Sequence, residues 1–165
     1  MVDLVALTLR YLHIAFGIAW IGALAYGVGV LRIALPRADP PASQGVMKQL
    51  IPIAVRYIPF TAVMTILFGA ILYLYMGVFD PAILLGSTWG LLLLTALVLA
   101  LVTFAYGLVW GIGSARKILT HLEEEACDHR EEVMGLQRRF NRVQIAALFL
   151  GLIIIGIMVF VVQAF

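Results

Sequence analysis

Charged residues are scarce in this chain of 165 residues. Asp, Glu, Lys and Arg together make up 12% of the sequence and hydrophobic residues 64%, whereas a soluble domain typically has about 25% charged residues. A chain of this composition cannot cover a water-exposed surface with polar side chains, which excludes an ordinary soluble domain. The net charge is only +2 and no basic patch is interleaved with aromatic residues, so nucleic acid is not an expected partner.

Cysteine is nearly absent as well. The one cysteine, Cys127, excludes an internal disulfide and lies in a segment predicted to be cytoplasmic, where thiols stay reduced. Its neighbours include metal-compatible side chains, but their spacing matches no established metal motif. A solvated helical hairpin is the favoured interpretation, with a metal site as the alternative. The metal-compatible residues near Cys127 are His121, Glu124, Glu125, Asp128 and His129.

What the sequence does contain is four long apolar stretches. Crossing a hydrocarbon core of roughly 30 Å takes about 20 apolar residues in a helix. Segments 91–102 and 146–162 are almost continuously apolar, which excludes the alternating pattern of a β-barrel. The first stretch has Asp3 in place of a basic leader, so we expect a retained helix and not a signal peptide. The predicted spans are about 4–31, 57–76, 89–112 and 143–162.

The distribution of lysine and arginine predicts the orientation. Cytoplasmic loops retain these residues, and they concentrate in segments 32–56 and 116–142, whereas the connection 77–87 has Asp80 as its only charged residue. The sequence therefore predicts an all-α fold: an integral membrane four-helix bundle, a single domain over residues 1–165, with both termini outside the cell.

The two basic segments have different patterns. The first is rich in proline, including Pro36, Pro40 and Pro41, so we expect a surface excursion that ends in a short interfacial helix over 45–50. Pro59 is expected in the first turn of the second span, where proline is tolerated. In the second segment apolar residues recur at near-helical spacing, which predicts that helices three and four extend beyond the membrane as an amphipathic hairpin. These positions are Ile118, Leu122, Ala126, Val133, Leu136 and Phe140.

His13 is the one histidine inside a predicted span. Ionisable groups at that depth are costly and are functional candidates by default; His13 lies about 14 Å from the outer end of its helix. Gly17, one turn further, leaves room for a flat ligand beside the imidazole, and Trp20, two turns further, can pack against the edge of that ligand. This pattern is typical of haem binding. The alternative is a histidine hydrogen-bonded to a neighbouring helix, with Gly17 present for close packing.

Small residues on the other helices are predicted to lie level with His13. Gly69, Thr95 and Gly156 fall about seven to nine residues from the outer helix ends, and small residues at one level can leave a cavity or simply serve packing. Arg10, one turn outside His13, is a candidate partner for a haem propionate. Its alternative is to reach the lipid head groups or to pair with Asp3.

Two further small-residue patterns permit close helix approach. Gly107 and Gly111 form a GxxxG motif, and a stripe at four-residue spacing runs along the first helix. Packing within the bundle and homodimer formation both remain open. The stripe consists of Ala15, Ala19, Ala23 and Gly27.

The first helix resembles the opening of a broad group of small bacterial and archaeal membrane proteins. In it His13 is followed by Gly17-Ile18-Ala19-Trp20-Ile21-Gly22. The group includes the copper-resistance D family, HemJ-type protoporphyrinogen oxidases and the membrane portion of PuuD-type urate oxidases. Further similarities, spread loosely over the chain, are Arg56, Phe60 and Gly69 in helix two, Trp89-Gly90-Leu91-Leu92-Leu93 opening helix three, and Asn141-Arg142 opening helix four.

The resemblance implies haem b with His13 as an axial ligand, in a prokaryotic plasma membrane. Early in helix three a lysine is frequent in the group, and Thr95 stands there instead, which argues against HemJ-type activity. No second membrane histidine exists, so a second ligand must come from another subunit, from a methionine such as Met64 or Met158, or from none. The expected function is a b-type cytochrome-like protein for electron transfer or small-molecule oxidation. The alternatives are a non-catalytic subunit of a larger membrane complex and a copper-related transport component.

Overall fold

The computed structural model describes residues 3–123 and 130–164. The described residues are almost entirely helical and contain no strand, which confirms the all-α prediction. The helices are α1 (Leu4–Tyr26), α2 (Arg32–Ala34), α3 (Pro40–Met76), α4 (Pro81–Gly86), α5 (Thr88–Tyr106), α6 (Gly113–Glu123) and α7 (Arg130–Ala164); π-helical segments at Gly27–Leu31 and Gly107–Ile112 continue α1 and α5, and Leu35–Arg37 forms a 3₁₀ turn.

Four continuous helical stretches are long and apolar enough to cross a membrane. Each has a mean hydropathy of 1.9 or more over its most apolar window. Four such stretches confirm the predicted number of candidate spans, and every one is longer than predicted. They are Leu4–Arg37, Pro40–Met76, Thr88–Leu122 and Met134–Ala164.

Most of the first basic segment, from Pro40 onward, is part of a long helix, whereas Pro36 lies in the 3₁₀ turn that precedes it. Pro40 and Pro41 occupy the first turn of α3, where the missing N–H has no helical partner to lose. The expected excursion and its separate helix over 45–50 are therefore wrong. Pro59 was predicted in a first turn, but it and Pro52 lie inside α3. Ile51 of this helix is buried against α6, a contact between distant parts of the chain that the sequence pattern does not reveal.

The long helices pack in pairs, α1 on α3 and α5 on α7, with further contacts between α3 and α5 and between α1 and α7. Tyr75 near the end of α3 donates a 2.9 Å hydrogen bond to the carboxylate of Asp3, which precedes α1. We call this end of the molecule the terminal end, and the opposite end, which carries most of the lysines and arginines, the basic end.

Two buried clusters hold the helices together. The central cluster consists of Trp20, Leu24, Ala62 and Ala147. The basic-end cluster is built on Ile51, Ala115 and Ile118, with Leu122, Leu136 and Phe140 packed against it. The basic-end cluster joins α3, α6 and α7. It includes four of the six apolar positions at near-helical spacing that predict the amphipathic hairpin: Ile118, Leu122, Leu136 and Phe140. Ala126 and the side chain of Val133 lie outside the described part of the chain.

A short helix closes the connection between α3 and α5 at the terminal end. The buried Tyr73 donates to the carbonyl of Leu84 in α4 (2.7 Å) and stacks on Trp89 at 6.0 Å. The turn before α4 places Val78 and Phe79 at φ 53° and 54°, in the left-handed region. The chain therefore reverses here through a strained turn.

Candidate functional site

His13 joins α1 to α3 through its ring. Nδ1 lies 2.9 Å from the backbone carbonyl oxygen of Thr65. A carbonyl oxygen only accepts, so Nδ1 carries the hydrogen and donates it, and in the neutral ring Nε2 then holds a lone pair. Within residues 3–123 and 130–164, no donor makes a hydrogen bond to Nε2. The half-buried imidazole thus has one nitrogen in a hydrogen bond and one without a hydrogen-bond donor among the described residues.

Gly69 makes this approach possible. A Cβ at Gly69 would lie 2.7 Å from Cε1 and 2.8 Å from Nδ1 of His13, which is closer than non-bonded atoms pack. The imidazole therefore fills the space that the missing side chain leaves on α3. We call the group of His13, Thr65 and Gly69 the His13 site.

Gly17 serves the same helix contact. A Cβ at Gly17 would lie 3.6 Å from the Cγ2 methyl of Thr65, at ordinary van der Waals distance. The arrangement corresponds to close packing between helices, which was the alternative considered for His13 and Gly17.

An aromatic group flanks the His13 site. Phe16 of α1 stacks on Phe68 with ring centroids 5.8 Å apart, and it meets Phe60 edge-on at 6.0 Å. Phe60 is 53% exposed, so the group reaches the outer surface of the helix pair. The three rings form an apolar aromatic group on the α1–α3 pair.

The other predicted site residues do not gather around His13. Trp20 is 5% exposed and belongs to the central cluster. Thr95 is exposed and donates to the Leu91 carbonyl of its own helix (2.8 Å). Gly156 is exposed, with no neighbour near the place of a Cβ. Of the predicted set, the structure brings together His13, Gly17 and Gly69.

Arg10 is exposed and does not pair with Asp3. The Asp3 carboxylate instead caps α1, accepting from the backbone N–H groups of Val5 (3.0 Å) and Ala6 (3.1 Å), and it also accepts from Tyr75. The hydrogen bond from Ala6, followed by that from Tyr75, lowers the pKa of Asp3 from its ordinary value. The guanidinium of Arg10 is left at the surface near the terminal end.

A partly enclosed cavity lies away from His13, in the basic half of the molecule. A cavity of about 470 Å³ is bounded by all four long helices, between the central and basic-end clusters. We call it the basic-half cavity. Its walls are mainly apolar, and its polar lining includes Arg32, Gln137, Arg138, Asn141 and Gln144. His13 is not among its lining residues.

Backbone irregularities coincide with this cavity. The π-helical segments contribute Gly27 and Gly107 to its walls, and α3 contributes Pro59. π-Helical turns within α-helices are frequent at functional sites. A Cβ at Gly27 would lie 3.1 Å from the Gln144 amide nitrogen, so this glycine admits a polar side chain of α7 to the bundle interior.

Two residues of these sites were missed by the sequence analysis, for different reasons. Thr65 contributes a backbone carbonyl, for which no sequence signal exists. Gln144 did have a signal, because Gln137, Asn141 and Gln144 repeat at helical spacing and form one polar face of α7.

Part of each small-residue pattern packs against α7 inside the bundle. Gly27 meets Gln144, and Gly111 would place a Cβ 3.5 Å from Val143 of α7. Ala15, by contrast, is exposed. Packing within the bundle therefore uses the basic-end part of the stripe and the second glycine of the GxxxG motif.

The alternative metal cluster lies largely outside the described residues. Glu124, Glu125, Cys127, Asp128 and His129 fall there, and His121 alone is described. In the part of the chain that the structure covers, no three side chains of His, Cys, Asp or Glu come together as a metal site.

No protein-family model, curated protein or solved structure matches this chain significantly. The case for a function therefore depends on the chemistry of its own residues.

Proposed function

We propose that this protein is a small b-type cytochrome-like membrane protein that binds haem through His13, for electron transfer or small-molecule oxidation. The observation that supports it best is the His13 imidazole, whose Nδ1 donates to the Thr65 carbonyl and whose Nε2 receives no hydrogen bond from the described part of the chain. Metal-binding histidines commonly donate their other ring nitrogen to a backbone carbonyl, which orients the ring and makes it more basic.

The residues around His13 fit haem at its ligand and at its apolar faces. His13 would hold the haem iron through Nε2, and Phe16, Phe60 and Phe68 would offer an apolar aromatic wall to the haem ring. Arg10, three residues before His13 and exposed, is suited to a propionate. Haem bound there would supply one-electron exchange at its iron, while the chain supplies ligation, position and a low dielectric.

The proposal includes a location and an orientation. Four helices of membrane-spanning length and composition suit a multi-pass protein of a prokaryotic plasma membrane. Lysine and arginine concentrate at the basic end, which supports placing that end in the cytoplasm and both termini outside. His13 then lies in the outer half of the membrane, and the basic-half cavity in the inner half.

Visible spectroscopy tests the proposal directly. The purified protein, supplied with haem in mild detergent, is expected to show a Soret band and, after dithionite reduction, a sharp α-band. His13→Ala should lose both, whereas His121→Ala, a histidine at the basic end, should keep them. Circular dichroism of each variant shows whether its helices form.

Two results would overturn haem binding at His13. One is a helical wild-type protein that stays colourless after incubation with haem. The other is a spectrum that survives unchanged in His13→Ala, which would place the ligand elsewhere.

A non-catalytic subunit of a larger membrane complex is the second candidate. Ala15, Gly22 and Gly29 are exposed at seven-residue spacing on the first long helix, where a further helix can approach closely. Gly22→Leu and Gly29→Leu would then weaken association, measured by light scattering of the detergent-solubilised protein, without changing its spectrum. Unchanged association in both variants would contradict this role for that face.

A further inference from the structure

We propose that the basic-half cavity is a binding site for one anionic phospholipid, with an acyl chain among the helices and the phosphate at Arg32 and Arg138. This site is separate from the His13 site and does not depend on haem.

The size and lining of the cavity suit an apolar ligand. Its volume of about 470 Å³ lies within the range of small-molecule pockets, which is about 300–1,000 Å³. Trp20, Ala62 and Ala147 of the central cluster line its deep end. An apolar cavity holds water poorly, because a water molecule needs several polar partners. Contact with an acyl chain is therefore more favourable for these apolar walls than contact with water.

Polarity is concentrated at the other end of the cavity. Gln137, Arg138 and Asn141 line it from the first half of α7, and Arg32 follows the π-helical segment of the first long helix. Gln144 lies one turn deeper, beside Gly27. The lining therefore changes from hydrocarbon to amide and guanidinium groups toward the basic end, which matches the polarity of a lipid molecule.

Charge selects the head group. Arg32 and Arg138 are both exposed, and neither makes an ion pair that involves the described residues. Among the residues that the structure describes, the lining contains no Asp or Glu. Two guanidinium groups with no opposing carboxylate in that described lining attract a phosphate, and basic pockets between transmembrane helices are known sites for anionic lipid head groups. A zwitterionic lipid has a cationic group that this rim would not favour.

One glycine leaves open space on the wall of the cavity. Gly107 lines the cavity, and no atom lies within 4 Å of the place where its Cβ would be. The same position allows a decisive substitution, since a leucine there would occupy the space proposed for the acyl chain. Gly113, which also has open space at its Cβ but does not line the cavity, is the matched control.

Native mass spectrometry of the full chain in mild detergent, with dioleoyl phosphatidylglycerol or dioleoyl phosphatidylcholine added, tests the proposal. The wild type should retain one phosphatidylglycerol, with a preference over phosphatidylcholine of about tenfold. Arg32→Gln/Arg138→Gln should lose the preference, and Gly107→Leu should lose retention. Gly113→Leu and Arg37→Gln/Arg116→Gln, whose arginines do not line the cavity, should behave as the wild type.

Three outcomes would overturn the proposal. Equal retention of the two lipids by the wild type would remove the role of charge. An equal loss in the Arg37→Gln/Arg116→Gln control would assign the preference to the general positive surface. Displacement of phosphatidylglycerol by millimolar inorganic phosphate would show a site for a free anion. His13→Ala should leave lipid retention unchanged, which separates this test from that of haem binding.

Discussion

The imidazole of His13 occupies the space beside Gly69, with Nδ1 2.9 Å from the carbonyl oxygen of Thr65 and a Gly69 Cβ position only 2.7 Å from Cε1. A histidine on α1 and a glycine on α3 thus form one unit. The glycine is required because the histidine is there, and the ring orientation is set by the backbone that the glycine exposes.

Gly69→Ala should destabilise the protein. The added methyl group would force the ring away and weaken its hydrogen bond to Thr65, and overpacking of this kind typically costs about 1–3 kcal/mol. The apparent Tm in detergent, followed by circular dichroism, should fall. Gly156→Ala is the control, because a Cβ there meets nothing within 4 Å. Equal Tm values for the two variants would contradict the contact.

Gly17→Ala should be tolerated much better than Gly69→Ala. Its Cβ would rest 3.6 Å from the Thr65 methyl, an ordinary contact, so the change in stability is expected to stay within roughly 0.5 kcal/mol. Gly17→Leu exceeds that space and should lower the Tm. The two variants are compared by the same thermal scans. A large fall of the Tm in Gly17→Ala would mean that α1 and α3 lie closer together than described.

The capping carboxylate at Asp3 should make the terminal end sensitive to acid. Its pKa is lowered in the folded protein, chiefly by the hydrogen bond from the Ala6 N–H and then by that from Tyr75. The ionised form is therefore the stabilising one. Its contribution is complete above the ordinary value of 3.8 and is lost as the pH falls through the lowered folded value.

Tyr75→Phe provides the measurement for this acid sensitivity. It removes one of the groups that lower the pKa and should move the Asp3 titration upward, toward 3.8. Carbon-13 NMR of the Asp3 carboxyl in wild type and variant follows the shift directly. Tyr11→Phe, an exposed tyrosine that does not contact Asp3, should leave the titration unchanged. An identical titration in wild type and Tyr75→Phe would refute the assignment.

Val78→Gly should stabilise the turn before α4. Val78 adopts φ 53°, a left-handed conformation that costs a residue with a Cβ about 1–2 kcal/mol and a glycine much less. The side chain is 73% exposed, so little packing is lost. The Tm should rise in Val78→Gly and fall in the helical control Val63→Gly. A fall in both would show that the turn does not store this strain.

The sequence alone determined that the chain is helical and that four of its helices suit a membrane. Both follow from local properties: continuous apolar runs such as 146–162 leave no surface for water, and their length matches a hydrocarbon core. It also singled out His13, Gly17 and Gly69, because a histidine or a glycine in an apolar helix is conspicuous without any structure.

The tertiary structure decided how these residues meet. The partner of His13 is a backbone carbonyl, which no side-chain pattern reveals, and Thr95 and Gly156 match His13 in predicted depth but lie on exposed faces. Depth along a helix can be counted from sequence, whereas the face that a residue presents depends on how the helices rotate against one another. The position of Pro59 inside α3 and the presence of the basic-half cavity likewise depend on how the helices pack. From Pro40 onward the chain forms one long helix whose Ile51 packs on α6, and the cavity lies where four separate helices leave space between two clusters.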